Sequence, residues 1–528
     1  MSRTTPRSIL RRTVCTSLLA ALCFPAATAW ADVRAAALFT DNLVLQRSRP
    51  IPVWGRADSG ESVTVTLGKD SASTVAGSDG KWTITLPQQK AATGLKLTIT
   101  GKNTQTLNNV AVGEVWVCSG QSNMEWPVEK SRDADAEIAA ATTPDIRLFT
   151  VRKATSTEPK PDVRALDDSW AVCDPTTVRK FSAVAYFFGR ELHRELGVPV
   201  GLIDSTWGGT PAEAWTSRPA LEASPDLRPL FPDWEARIAA HPAALSVYES
   251  ETLPKWELAA EKAKAEGKRI PSKPNPPDGP GSASRPTVLY NAMIAPLMPY
   301  AIKGVIWYQG EGNGDSPERA IQYRTLFPAM IRDWRTNWKQ GDFPFLFVQL
   351  AGWLAVQTKP VENDDWAILR EAQANTLSLP HTGMATAIDL ADADRPYDIH
   401  PKNKQDVGRR LALVALANEY DRKTAYSGPV LERMEIKDSE ARLRFRHTDG
   451  GLRSRDGGPL RGFAIAGADG VWKWADAVIK GDTVTLSSAE VSAPTAVRYN
   501  WARNPIGSLT NGVGLPAFPF RTDTRSDK

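Results

Sequence analysis

The stretch Gly113-Glu114-Val115-Trp116-Val117-Cys118-Ser119-Gly120-Gln121-Ser122-Asn123-Met124-Glu125-Trp126 joins a β-prone run to an isolated hydroxyl. Val115, Trp116 and Val117 favour a strand, and Ser119-Gly120 ends it. Ser122 then falls at the strand's carboxyl end, the edge at which open α/β sheets bind ligands. A strand-to-helix turn there presents a serine Oγ to solvent, as a nucleophile requires. The same letters carry a plainer meaning. Ser122-x-x-Glu125 is a capping-box pattern, which makes Ser122 the cap of a helix. Pro127 follows too closely to suit a regular helix interior and weighs against that meaning.

Beyond this stretch, strand-like and helical runs alternate from about residue 111. Phe181 to Leu196 has apolar residues at helical spacing and stops at Gly197. Val198–Asp204, Val305–Tyr308 and Phe345–Leu350 read as buried strands. The alternation predicts an α/β unit over 111–427, a parallel sheet with helices on both faces. Residues 222–285 read as an insertion, helical and charged at first, then proline-rich. It is a surface excursion, or more sharply a lid. Before the unit, residues 32–110 carry short alternating runs such as Val63–Leu67 and Trp82–Leu86, which predict a small sandwich. After it, residues 428–528 return to β alternation, as in Ala441–Phe445.

The amino terminus is a targeting segment. Arg3, Arg7, Arg11 and Arg12 precede an apolar stretch from Val14 to Phe24, and Ala29-Trp30-Ala31 supplies a cleavage point. The stretch is too short to span a bilayer. The expectation is a signal peptide over 1–31, no membrane anchor, and a bacterial protein that is periplasmic or secreted. The 64 Lys+Arg and 60 Asp+Glu of the chain become 60 against 60 once four leader arginines are removed. No basic field remains to attract nucleic acid, and a neutral polymer such as a sugar fits better. Cys118 and Cys173 stay after cleavage, either as a bridge or as two buried thiols. Eighteen tryptophans serve mostly as core, with a minority available to stack on sugar rings at a cleft rim. Nothing in the letters sets an oligomeric state.

Gly120-Gln121-Ser122-Asn123-Met124 resembles the nucleophile block of the sialate O-acetylesterase family, a branch of the SGNH hydrolases. Three later segments match in the family's order: Trp207–Trp215, Trp307–Asn313 and Asp398–Gln405. The resemblance covers nearly the whole mature chain. It implies an SGNH-type, flavodoxin-like three-layer hydrolase domain with β-rich domains on either side. It also implies an esterase that removes O-acetyl groups from carbohydrate through an acetyl-serine, with no cofactor. Sialic acid is the namesake substrate; acetylated xylan or another hemicellulose is the alternative. A reading from another class, a non-catalytic carbohydrate-binding protein, is opposed by the presence of Ser122, a histidine and an acid together.

Five histidines limit the choice of base. His193 sits within the predicted helix, His241 in the insertion, His447 in the carboxyl-terminal β region and His381 in a loop. His400 precedes Pro401, which suits the first position of a helix running through Val407, Leu411 and Val414. By position alone His400 reads as a helix cap or surface residue. The resemblance makes it the general base. For the acid, Asp398 lies two residues before His400, one fewer than SGNH hydrolases commonly use. Glu311 is the rival. Oxyanion donors are expected from the Ser122 backbone, from Gly209, and from a side-chain amide of Asn313 or Gln309. Thr210-Pro211-Ala212-Glu213 predicts a capped helix whose positive end faces the site. Arg370 is the candidate to meet a sialate carboxylate. No phosphate loop or zinc-ligand spacing is present.

Overall fold

Strand Thr104–Gly120 is the axis of the fold. The structure, a computed structural model, describes residues 1–2 and 32–523. The leader expected over 1–31 therefore falls outside the described residues but for its first two. From Val110 onward every residue of the axial strand is buried, as a strand covered on both faces requires. Val200–Thr206 and Gly304–Tyr308 flank it in parallel. Ile146–Thr150 lies beyond on one side, and Phe345–Gln349 then Thr382–Thr386 on the other, all parallel. The first of these six strands in the chain thus lies inside the sheet; the chain leaves it toward Ile146–Thr150 on one side and leaves its neighbour Gly304–Tyr308 toward Phe345–Gln349 on the other. That is the switch point at which a crevice opens beyond the carboxyl ends.

Strand alternation assigns the layers. Trp116 and Ser119 point to opposite faces, and Trp307 lies beside Ser119. Trp116 meets Phe188 of helix Ala183–Leu196. Trp307 meets Phe327 and Trp334 of helix Pro317–Trp338 on the other face. Helix Lys404–Glu419 packs against the first of these helices and Asp365–Asn375 against the second. The three-layer α/β expectation is met.

The amino-terminal strands differ from a self-contained sandwich. Arg34–Ala35, Ile51–Arg56 and Lys81–Leu86 form their own sheet. Ala92–Thr100 instead pairs antiparallel with the first half of the axial strand, so the sheet continues through position 110. One apolar core joins both parts, whereas the strands after residue 430 enclose a second. In the insertion, helices Leu230–Val247 and Leu253–Ala265 are followed by an extended run. That run is held back on the helices: Trp256 Nε1 donates to the Pro271 carbonyl and the Tyr248 hydroxyl to that of Pro274. Cys118 and Cys173 are free and buried, and burial pushes the Cys173 thiol up to about 12. Among the described residues no helix is long and apolar enough to cross a membrane.

Candidate active site

Gly120 makes the turn at the end of the axial strand. Its φ is +138°, and a Cβ there would lie 2.2 Å from the Tyr308 carbonyl oxygen, so only glycine fits. The chain then enters a single helical turn, Ser122–Glu125. Ser122 does not cap it. Its Oγ lies 2.8 Å from His400 Nε2. Glu125 is not a capping partner either: its carboxylate accepts from the Gly208 N–H at 2.6 Å and pairs with Lys153.

His400 is held from three directions. Asp398 Oδ1 stands 3.3 Å from its Nδ1 and accepts from its backbone N–H at 3.0 Å. Arg395 pairs with the other oxygen of Asp398. The Trp126 indole stacks on the imidazole, with centroids 4.8 Å apart. Burial, then the nearby cations Lys404, Lys130 and Arg395, push the histidine down to about 4. It is therefore a neutral acceptor at neutral pH. The helix expected from Pro401 begins instead at Lys404, capped by Asn403, whose side chain accepts from Asp406. His400 thus lies on a loop clear of the helix.

Glu311 is brought close by a different route. Its Oε1 accepts from Asn123 Nδ2 at 2.5 Å, and its Oε2 is buried without a partner. Burial raises its pKa. The same Asn123 amide donates to the Ile399 carbonyl at 3.0 Å, and its oxygen accepts from Lys404 Nζ. Lys404 is fully buried between the Trp126 and Tyr308 rings, and burial pushes it down to about 7. Asn123 thus ties the Ser122 turn to the His400 loop and to the Glu311 turn. Sequence reasoning missed Asn123, Lys404 and Trp126. All three stand within the quoted motifs, but nothing in the letters announces a buried lysine.

The remaining expected residues divide. Gly208 lies against the serine: a Cβ on it would be 3.2 Å from Ser122 Cβ. Gly209 follows with φ +76°. Gln309 and Asn313 do not present free amides. Asn313 Oδ1 accepts from Gln309 Nε2 and the Ala212 N–H, and its Nδ2 donates to Glu213. Gln309 Oε1 accepts from the Tyr323 hydroxyl. Both side chains are buried and spent on the frame. The capped helix after Thr210 is likewise absent. Ala212–Trp215 is one 3-10 turn without a side-chain cap, because Thr210 binds Trp207 and Trp215 while Glu213 binds Asn313 and Arg319. Arg370 does not reach the site. It is fully buried, and its guanidinium donates to the carbonyls of Leu350, Ala351, Ala502 and Arg503.

The serine and histidine open into a cleft of about 520 Å³, walled by Trp126, Lys130, Arg152, Lys153 and Asp204 among others. Burial raises Asp204 to about 7. The arrangement has a hydroxyl, a neutral imidazole acceptor and a carboxylate behind it, the parts of a nucleophilic acyl-transfer site.

Residues 281–417 match the family model described as carbohydrate esterase, sialic acid-specific acetylesterase. The rat sialate O-acetylesterase is 30% identical over 539 residues, covering 92% of this chain and 93% of the relative. The human sialate O-acetylesterase is 32% identical, covering 77% of this chain and 76% of the relative. Among solved structures, a carbohydrate acetylesterase from Xanthomonas citri is similar with TM-score 0.77 and 37% identity, covering 93% of this chain and all of that one.

Proposed function

The chain belongs to the sialate O-acetylesterase family and is a carboxylic ester hydrolase; from that premise we propose that it is an exported enzyme removing O-acetyl groups from carbohydrate by serine catalysis. Ser122 attacks the acetyl carbonyl, and His400 takes the Oγ proton. Asp398 fixes the imidazole and stabilises its cation. The backbone N–H groups of Ser122 and Gly209 receive the oxyanion; the first N–H groups of a helix lack intrahelical acceptors. His400 then protonates the leaving sugar oxygen. Water, deprotonated by the same histidine, releases acetate from the acetyl-serine. The sugar proposed first is an O-acetylated sialic acid.

The observation that supports this reading most is the 2.8 Å approach of Ser122 Oγ to His400 Nε2, made by residues 278 positions apart at the mouth of a cleft. Glu311 is assigned a supporting place beneath the nucleophile. Export through the segment 1–31 into a periplasm or medium belongs to the same proposal. So does the division into β-rich (32–110), hydrolase (111–427) and β-rich (428–528) units. A fluorophosphonate should label Ser122, and Ser122→Ala should lower 4-nitrophenyl acetate hydrolysis by several orders of magnitude, since such residues act as a unit. A folded Ser122→Ala protein that retains substantial activity would exclude the mechanism.

A further inference from the structure

A second cleft adjoins the first. It measures about 550 Å³, and Arg152 and Lys153 wall both. Each volume lies within the roughly 300–1,000 Å³ of ordinary ligand sites, and two side by side exceed what one monosaccharide needs. The second cleft is built on the loop 152–164, and backbone bonds hold that loop to the body. The Arg152 N–H donates to the Arg164 carbonyl, that of Ser156 to Val288, and that of Lys160 to Asn291. The first of these bonds closes the loop on itself, and the other two tie it to the body.

Its charge is one-sided. Arg152, Lys153, Lys160 and Arg164 line it against the single carboxylate of Asp162. That carboxylate is already spent: it accepts from the backbone N–H groups of Ala37 and Val163. Lys153 has Glu125 as its partner. Among the described residues no carboxylate lies within ion-pair distance of Arg152, Lys160 or Arg164. Unpaired surface cations are ordinarily just solvated. Here they converge in a concavity that continues from the serine, in a chain whose mature charge is balanced. A cleft lined by one sign of charge concentrates ligands of the other.

We infer that the second cleft is a distal subsite and that the two clefts together take an O-acetylated oligosaccharide bearing carboxylates. The acetylated residue sits at Ser122, and a carboxylate-bearing sugar residue further along the chain, sialate or uronate, meets Lys160 and Arg164. The inference rests on the ester-hydrolase reading of Ser122 and narrows its substrate to an acidic chain.

The test compares acetate release from O-acetylated oligogalacturonides and O-acetylated xylo-oligosaccharides, each as dimer and pentamer. For the acidic series kcat/KM should rise about tenfold from dimer to pentamer and fall steeply on going from about 0.05 to about 0.5 M NaCl, as screened charge contacts do. The neutral series should show neither. Lys160→Glu/Arg164→Glu should remove the length gain, with the loss appearing in KM. Calorimetric titration with deacetylated pentagalacturonate gives a readout without catalysis: binding to the parent chain, about tenfold weaker in the double variant. Equal gains in both series, no gain, or a gain that survives the double variant would overturn the subsite. Turnover of 4-nitrophenyl acetate separates the two failures. If it proceeds while the acidic chains show no gain, the subsite alone falls. If it is absent, the ester-hydrolase reading falls and the subsite with it.

Discussion

At the residue scale the pair Ser122–His400 sets the expected pH behaviour. An unperturbed histidine titrates near about 6.5. Burial and three neighbouring cations push His400 down to about 4. A lowered value keeps the imidazole neutral, hence basic, further into acid. The acid limb of kcat/KM should therefore lie near pH 4, with a plateau through neutrality, in a pH–rate profile on 4-nitrophenyl acetate. Lys404→Met removes one of those cations and should move the limb upward. The carboxylates make a second contrast. Asp398→Asn removes the negative charge that stabilises the His400 cation and puts an amide N–H in competition for the position facing Nδ1, and it should cost on the order of ten-thousandfold in kcat. Glu311→Gln keeps the acceptor oxygen facing Asn123 and should cost far less; the opposite order would move the orienting role to Glu311. Ser122 and His400 were legible as residue types in separate motifs, but the Lys404–Asn123–Glu311 arrangement was not. Single-letter chemistry places lysine and glutamate outside, and only packing against Trp126 and Tyr308 puts this lysine inside.

At the element scale the turn at Gly120 carries the most. Gly120→Ala must accommodate both a positive φ and a contact with the Tyr308 carbonyl. The expected loss is at least about 1–3 kcal/mol, read as a lower urea midpoint with unchanged slope. Strands are legible here because their runs are apolar and bounded by glycine and proline. Short turns are not, for a physical reason. The capping rule assumes that Thr210 and Glu213 have nothing better to bind than their own backbone. Tertiary structure offers them Trp215, Asn313 and Arg319, and those partners win. The helix after His400 fails the same way: Pro401 suits a first turn, yet Asn403 supplies the cap.

At the scale of the whole molecule, Arg370 is a clamp rather than a ligand. Its guanidinium joins carbonyls at the end of a sheet strand, Leu350 and Ala351, to those of Ala502 and Arg503 beyond it in the chain. Arg370→Leu would leave buried acceptors without donors, at a cost of about 3 kcal/mol or more. Limited proteolysis should then release the segment after residue 427 sooner than in the parent chain, and an unchanged cleavage rate would count against the clamp. A helical arginine in Leu369-Arg370-Glu371 gives no sign of this, since Ala502 and Arg503 lie 132 and 133 positions away. The strands after residue 430, which enclose a second apolar core, are legible from their alternation. The merging of the amino-terminal strands with the central sheet is not, because alternation reports a strand but not which neighbour it finds.

The axial strand also sets an order of events. Thr104–Gly120 leaves the ribosome first, while its two parallel neighbours, Val200–Thr206 and Gly304–Tyr308, follow much later. Until the last of them arrives, an apolar ribbon ending in Gly-Gln-Ser waits with its inner edges bare. Long-range parallel pairing is slow, and bare edges recruit wrong partners. The edges that later hold the Ser122 turn in place are thus open to wrong pairing until the sheet closes.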